Sequence, residues 1–382
     1  MFYFDNAATS WPKPASVVNE VANCIQKYGA NPNRSGHSMA NEAGQKILNT
    51  RKRLCSLFNT ADPFEYIFTH NTTYALNFAI KGILKPGMHA IATSLEHNSV
   101  LRPLFTLKDQ GVGIDIVSCD NLGTISKKQF EAAFKPNTRL VVITHCSNVL
   151  GTIQPIDELC EIAHKHSALV LIDAAQSAGC IPLDIKQVNA DMVAMPAHKS
   201  LYGLQGSGVL YVKKGTPIIP IIQGGTGSES KILTQPDIMP DMLEAGTQNL
   251  PGISALCEAI RFIQSIGIQK IRAHEVGLAK YFRDGLSKID SVTLYGRSDI
   301  ESTSGIVTFN INGKDSSLVE SILDKRYSIA VRSGLHCAPL AHMSIGTYET
   351  GAVRFSFGYY NDEKQIEYAV RAIKDIASGK YA

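Results

Sequence analysis

The chain has 382 residues, of which 44% are apolar and 19% charged. That balance supplies a sizeable core and excludes a disordered polyelectrolyte. The net charge of +3 provides no field that would argue for nucleic acid or an acidic membrane as a partner. No run of apolar residues is long enough to cross a bilayer, and MFYFDNAATS lacks a basic-then-apolar leader, so the expectation is a soluble, cytoplasmic protein.

The first half alternates helical patterns with short apolar runs. Pro14–Tyr28 reads as a helix with Val17, Val21, Cys24 and Tyr28 on one face and Gly29 after its end, and Ala40–Phe58 as a second with Ile47, Arg51, Leu54 and Phe58 in register. Strands are expected at 66–69, 89–93, 114–118, 140–144, 169–172, 192–195 and 208–212, with helices such as 98–110 and 155–166 between them. This alternation predicts a largely parallel α/β sheet, which gathers ligands at the carboxyl ends of its strands. The stretch 223–241 is rich in Gly, Ser, Thr and Pro and reads as a mobile loop. Beyond residue 250 the pattern becomes a smaller α+β unit: helices at 254–266 and 271–289, strands at 305–311 and 353–356 around a helix at 316–326, and a closing helix at 362–377.

Eight cysteines are scattered with no two closer than 14 residues. That spacing excludes a C-x-x-C redox or zinc knuckle and points to free thiols in a reducing compartment. Seven are expected to serve as small core hydrophobes. Cys337 differs, because it stands in VRSGLHCAP beside His336 and near Arg332. Cationic neighbours in a glycine-containing loop favour a reactive thiolate, against the plain alternative of a buried inert thiol.

Five further segments carry chemistry, each with a plainer reading. In DMVAMPAHKSLYGLQGSGVLYV, Lys199 leaves an apolar strand and precedes Gly203, Gly206 and Gly208. A surface lysine is the ordinary reading. A desolvated amine able to form a Schiff base, with glycines allowing close approach of a ligand, is the chemical one. In LVLIDAAQS, Asp173 ends a strand and could cap a helix or face a cationic ring nitrogen, as pyridoxal phosphate requires. THNTT offers hydroxyls and N–H groups at a helix start, suited to a cap or to a phosphate. In SLEHN, His97 could cap a turn or stack on a planar cofactor. In VRFS, Arg354 interrupts an apolar strand and needs a carboxylate, either from the fold or from a substrate. P-loop, dinucleotide, zincin and hydrolase motifs are absent.

Together with DNAATSWPKP, SNVLGT, EAGTQN and VRFSFGYYN, these segments run in the order of class V aminotransferase-fold proteins. Over nearly its whole length the chain resembles a cysteine desulfurase or selenocysteine lyase, and the R-x-G-x-H-C-A form around Cys337 is similar to group II of that family. The resemblance implies a fold type I pyridoxal phosphate enzyme. Its large cofactor-binding domain would span 14–253, and its small α+β domain 254–382 with segment 1–13. It implies that Lys199 carries the cofactor, Asp173 pairs with the ring nitrogen and Gln176 contacts the phenolate oxygen. His97 would stack on the ring and assist proton transfer, while Thr72, Thr73 and His198 reach the phosphate. Thr247 would be lent by a neighbouring subunit of a homodimer. Asn148 and Arg354 would hold the substrate carboxylate, and Cys337 would take the sulfur.

Relatives commonly carry S-G-H-K where this chain has Pro196-Ala197-His198-Lys199. Pro196 has neither hydroxyl nor N–H, so one phosphate donor is missing. The implied reaction removes sulfur from L-cysteine, leaving L-alanine and a Cys337 persulfide for a sulfur-acceptor protein. The motifs do not choose between sulfur and selenium, so L-selenocysteine stands beside L-cysteine as a substrate. Alternatives are a selenocysteine lyase proper, a kynureninase-like hydrolase, an epimerase, an aminotransferase, or a non-catalytic scaffold of the same fold.

Overall fold

The computed structural model describes residues 1–32 and 36–380. After a two-residue strand, β1 (Phe2–Tyr3), seven strands build the large sheet: β2 (Tyr66–Thr69), β3 (His89–Thr93), β4 (Gly113–Val117), β5 (Thr138–Thr144), β6 (Leu169–Asp173), β7 (Met192–Pro196) and β8 (Gly208–Val212). Across the sheet they lie in the order β2-β8-β7-β6-β5-β3-β4. Every neighbouring pair is parallel except the two that involve β8. The exception has a simple cause: no helix separates β7 from β8, so the chain turns back beside the strand it has just left. That short return carries Lys199.

The remaining strands are β9 (Val292–Tyr295), β10 (Ile306–Ile311), β11 (Ile329–Ala330), β12 (Arg332–Gly334) and β13 (Ala352–Ser356). Four of them form an antiparallel sheet in the order β12-β13-β10-β9, and β11 pairs in parallel with β1. The strands β1, β11 and β12 escape the sequence reading because two or three residues show no periodicity, and β9 escapes it too, being only partly buried. The expected first helix ends at Asn23 and passes into a single π-helical stretch, Cys24–Tyr28. The helix expected from residue 254 starts at Leu250, where the Asn249 side chain accepts from Gly252 N at 3.1 Å and Pro251 occupies the first turn. Residues 223–241 form neither helix nor strand.

One core packs helices against one face of the large sheet and takes in Leu250, Ile253, Leu256, Ile260 and Ile263 of the Leu250–Ile266 helix. A second fills the opposite face, and a third, built on Phe4, Phe282, Phe309 and Phe355, lies under the small sheet. The N-terminus therefore starts in the small sheet's core and then crosses toward the large sheet. Among the described residues no helix is long and apolar enough to cross a membrane.

Arg51, which the periodicity places on the apolar face of its helix, is buried there. It pairs with Glu244 at 2.7 Å and lies 4.7 Å over the Phe68 ring. Glu244 also accepts from Phe68 N at 2.6 Å. Removing one member of such a pair strands a buried charge and costs about 3–5 kcal/mol, whereas replacing both with apolar groups is close to neutral. Accordingly Glu244→Leu should depress the thermal unfolding temperature sharply, and Arg51→Met added to it should restore most of the loss.

Candidate active site

The strand order brings the chemistry together. Thr144 is the register partner of Asp173, and Asp173 of Ala194, so the carboxyl ends of β5, β6 and β7 are neighbours. β3 lies next to β5, which sends Glu96 and His97 to the same edge. A cavity there is lined by Thr72, Thr73, His97, Asn148, Asp173, Gln176, His198 and Lys199, among others. Eight residues singled out from sequence thus share one space. Thr247 is exposed and lines a different cleft, beside His70 and Tyr74.

Lys199 is held below its ordinary lysine pKa, at about 8, first by burial and then by the Arg354 guanidinium, with Arg332 adding to the effect and Asp173 and Asp5 opposing it. Burial pushes Asp173 above the usual carboxylate range, while the Ala175 N–H, donating to its Oδ1 at 2.9 Å, and Lys199 draw it back. Asp173 therefore caps a turn and faces the cavity at once. His97 does the same. Its Nδ1 accepts from Ser99 N at 3.0 Å and lies 3.0 Å from Ser99 Oγ. Burial and nearby cations hold the ring neutral, with a pKa of about 4, so its proton sits on Nε2.

At the other end of the cavity, Asn71 caps the helix Thr72–Ile83 by accepting from Tyr74 N at 3.1 Å, leaving the threonines free of that duty. Thr72 Oγ1 and His198 Nδ1 are buried without a partner. A helix start with two orphaned polar atoms, a carboxylate set below and a depressed lysine amine fits an aromatic aldehyde phosphate such as pyridoxal 5′-phosphate. Two of the three glycines after Lys199 serve the packing of the fold itself. A Cβ on Gly208 would lie 2.6 Å from the Asn71 backbone, and one on Gly203 would lie 3.0 Å from the Ala197 carbonyl oxygen. At both positions backbone packs on backbone.

The partner of Arg354 is part of the fold: Nη2 donates to Asp5 Oδ1 at 2.8 Å and Nη1 to the Asn148 carbonyl at 3.0 Å. Its Nε is buried without a partner. Asp5 belongs to an N-terminal strap that also secures the lysine loop. Lys13 Nζ donates to the His198 carbonyl at 2.7 Å, Thr9 Oγ1 to the same oxygen at 3.0 Å, and Ser10 Oγ to the Lys199 carbonyl at 2.9 Å. The strap supplies the Gln176 amide with an acceptor too, Ala7 O at 3.0 Å. For Asp5 the sequence offers its place at the head of DNAATSWPKP and the demand of a buried arginine for an anion, neither of which names the pair. Glu96 also escaped notice. Fully buried, it accepts from Thr93 Oγ1 at 2.7 Å and Thr144 N at 2.9 Å, and burial raises its pKa to about 8.

Cys337 is partly exposed, and Arg332 Nη2 donates to its Sγ at 3.3 Å. Arg332 is the cation bonded to it, and Arg354 lies within electrostatic reach of it. His336, expected as a second one, is buried and held well below its ordinary pKa, so it is neutral. His336 and Cys337 have φ of 51° and 57°, two consecutive left-handed residues that cost about 1–3 kcal/mol each. Of the seven other cysteines, six are buried as expected. Cys119 is partly exposed and accepts from Ser94 Oγ at 3.3 Å.

The depressed lysine gives a pH signature in the chain without cofactor. Only the neutral amine attacks an aldehyde. Borohydride trapping of pyridoxal 5′-phosphate on Lys199 should therefore rise roughly fivefold from pH 7 to 8 and level off near pH 9. A yield still climbing through pH 10 would show an ordinary lysine.

Proteins of known type match this architecture along its length. The sequence model of the family described as aminotransferase class-V matches residues 2–369. A probable cysteine desulfurase of Methanothermobacter thermautotrophicus is 34% identical over 98% of this chain and 94% of its own. A cysteine desulfurase of Shigella flexneri is 32% identical over 98% and 93%. The solved cysteine desulfurase of Thermococcus onnurineus superposes with a TM-score of 0.93 at 33% identity, covering 99% of this chain and 95% of that one. With a match spanning nearly every residue from β1 to the last helix, the chain belongs to the class-V aminotransferase family.

Proposed function

We propose that the chain is a pyridoxal 5′-phosphate-dependent cysteine desulfurase that converts L-cysteine and the Cys337 thiol into L-alanine and a Cys337 persulfide. The observation that carries this reading is the pairing of Cys337 Sγ with Arg332, because that guanidinium also bears on the Lys199 amine. A thiol and a depressed lysine thus share one electrostatic field, as sulfur abstraction requires and as transamination or epimerisation does not. Bound in the cavity, the cofactor would supply an aldehyde that condenses with amines and a cationic ring that accepts the electron pair left at Cα.

The chain's own residues do the rest. Thr72, Thr73 and His198 are the phosphate ligands, with Pro196 contributing none. Asp173 would pair with the ring nitrogen and Gln176 would contact the phenolate oxygen, as both line the cavity. Lys199 Nζ holds the cofactor and then takes the Cα proton, which an amine with a pKa of about 8 can both accept and return near neutral pH. His97 would stack on the ring, with its proton held on Nε2 because Nδ1 accepts from Ser99 N. Arg354, through its unpaired Nε, and Asn148 take the substrate carboxylate. Cys337 Sγ attacks the substrate sulfur, the Cβ–S bond breaks, and the electron pair returns to carbon, which is protonated to give alanine.

Thr247 lies away from this cavity within its own chain, which supports a homodimer in which it completes the neighbour's phosphate site. L-selenocysteine fits the same groups. A persulfide on a partly exposed cysteine supports delivery to a sulfur-acceptor protein, and eight free thiols favour the cytoplasm.

The cofactor-loaded chain incubated with L-cysteine should release alanine, and Cys337 should gain the mass of one sulfur atom. Cys337→Ala should abolish that gain and cut alanine formation at least about a hundredfold, while Lys199→Ala should remove the near-visible absorption of the bound cofactor. Wild-type alanine formation in the Cys337→Ala chain would refute the assignment.

A further inference from the structure

Cysteine has no intrinsic preference for the left-handed backbone that His336 and Cys337 adopt in succession, and glycine would occupy either position without strain. Something must hold the turn. Two tethers come from the large sheet: Asn148 Nδ2 donates to the His336 carbonyl and Asn98 N to the Cys337 carbonyl, both at 2.7 Å. The third is a chain of side chains. Thr347 Oγ1 lies 2.7 Å from His342 Nδ1, His342 Nε2 lies 3.1 Å from His336 Nδ1, and His336 Nε2 lies 3.3 Å from the Arg332 carbonyl. The two ring planes lie 17° apart with centroids 5.3 Å apart, an edge-to-edge arrangement that suits an in-plane N–H···N bond, and all three side chains are buried.

Chemistry fixes the direction of this chain. A carbonyl only accepts, so His336 Nε2 carries the proton. Both rings are neutral, with His342 held at about 4 by burial, so His336 Nδ1 must accept and His342 Nε2 must donate. His342 Nδ1 then accepts from the Thr347 hydroxyl. The relay ends on the residue whose guanidinium donates to Cys337 Sγ.

We propose that His342 and Thr347 are positioning residues for Cys337, their hydrogen-bond relay through His336 holding the left-handed turn that keeps the thiol against Arg332. The proposal rests on the reading of Cys337 as the sulfur acceptor.

The test compares His342→Leu, which keeps bulk but removes both bonds, with His342→Gln, whose amide can still donate to His336. In the cofactor-loaded chain, His342→Leu should lower kcat for L-cysteine about tenfold with KM within about twofold, and His342→Gln should recover most of the loss. Alanine formation from L-selenocysteine should change less than about twofold, because selenium can leave without a thiol attacking it. Independently of turnover, nitrogen-15 spectra of histidine-labelled protein should show His336 and His342 as neutral rings protonated on Nε2, and Thr347→Val should blur that assignment at His342 while Thr347→Ser preserves it. If His342→Leu fails to fold, Thr347→Val takes its place, with about a threefold loss of kcat that Thr347→Ser restores. Unchanged kcat in the folded Leu variant, equal losses on both substrates, or protons on Nδ1 would overturn the relay. A wild-type chain that forms no Cys337 persulfide would overturn the reading of Cys337 beneath it, whatever the spectra show.

Discussion

The protonation of one desolvated amine governs this molecule's chemistry. Lys199 is held at a pKa of about 8 first by burial and then by Arg354, with Arg332 adding to the effect and Asp173 and Asp5 opposing it. Desolvation disfavours the charged amine, and a surplus of cations over carboxylates around it disfavours that form further. Near neutral pH a larger share of the amine is therefore unprotonated than in an ordinary lysine. The same surplus makes the cavity receptive to anions, so a phosphate at one end and a carboxylate at the other would relieve the imbalance that activates the amine. The nearby histidines do not add to it, because His97 and His198 are both held neutral with pKa values near 4.

The N-terminal strap makes this arrangement rigid. Asp5 neutralises part of Arg354, while Thr9, Ser10 and Lys13 bind the carbonyls of His198 and Lys199. Phe4, one residue before Asp5, is locked into the aromatic core under the small sheet. Carboxylate recognition and placement of the lysine loop are therefore mechanically linked through fewer than ten residues. On the opposite wall, Asn148 performs a similar double duty, accepting from Arg354 through its carbonyl and donating to the His336 carbonyl through its amide. The thiol loop, the arginine and the large sheet are thus joined by short bonds.

Several residues show that a structural and a chemical reading need not compete. His97 caps its helix with Nδ1, and this bond is what aims Nε2 at the cavity. Asp173 caps a turn with Oδ1 and still lies close enough to act on Lys199. In both cases the cap fixes the side chain's orientation, and a fixed orientation is what a catalytic group needs. Gly203 and Gly208 went the other way: close approach was required, but of one backbone to another.

Local chemistry was legible in the sequence. The seven strands of the large sheet appear as short apolar runs, because burial on both faces writes itself into consecutive residues. Lys199, Asp173, His97 and Cys337 stand at strand ends and in glycine-bearing loops, where their side-chain types already limit what they can do. Partnerships across distance were not legible. Asp5 and Arg354 are 349 residues apart, and Arg51 and Glu244 are 193 apart. No periodicity links such pairs: Asp5 meets Arg354 because the N-terminal segment runs beside β13, bridging to Ser356, and Glu244 meets Arg51 beside the Phe68 amide of β2. The sequence by itself determined which groups are available. The tertiary structure alone decided which charges share a low-dielectric space, and that sharing sets the protonation on which the reactivity depends.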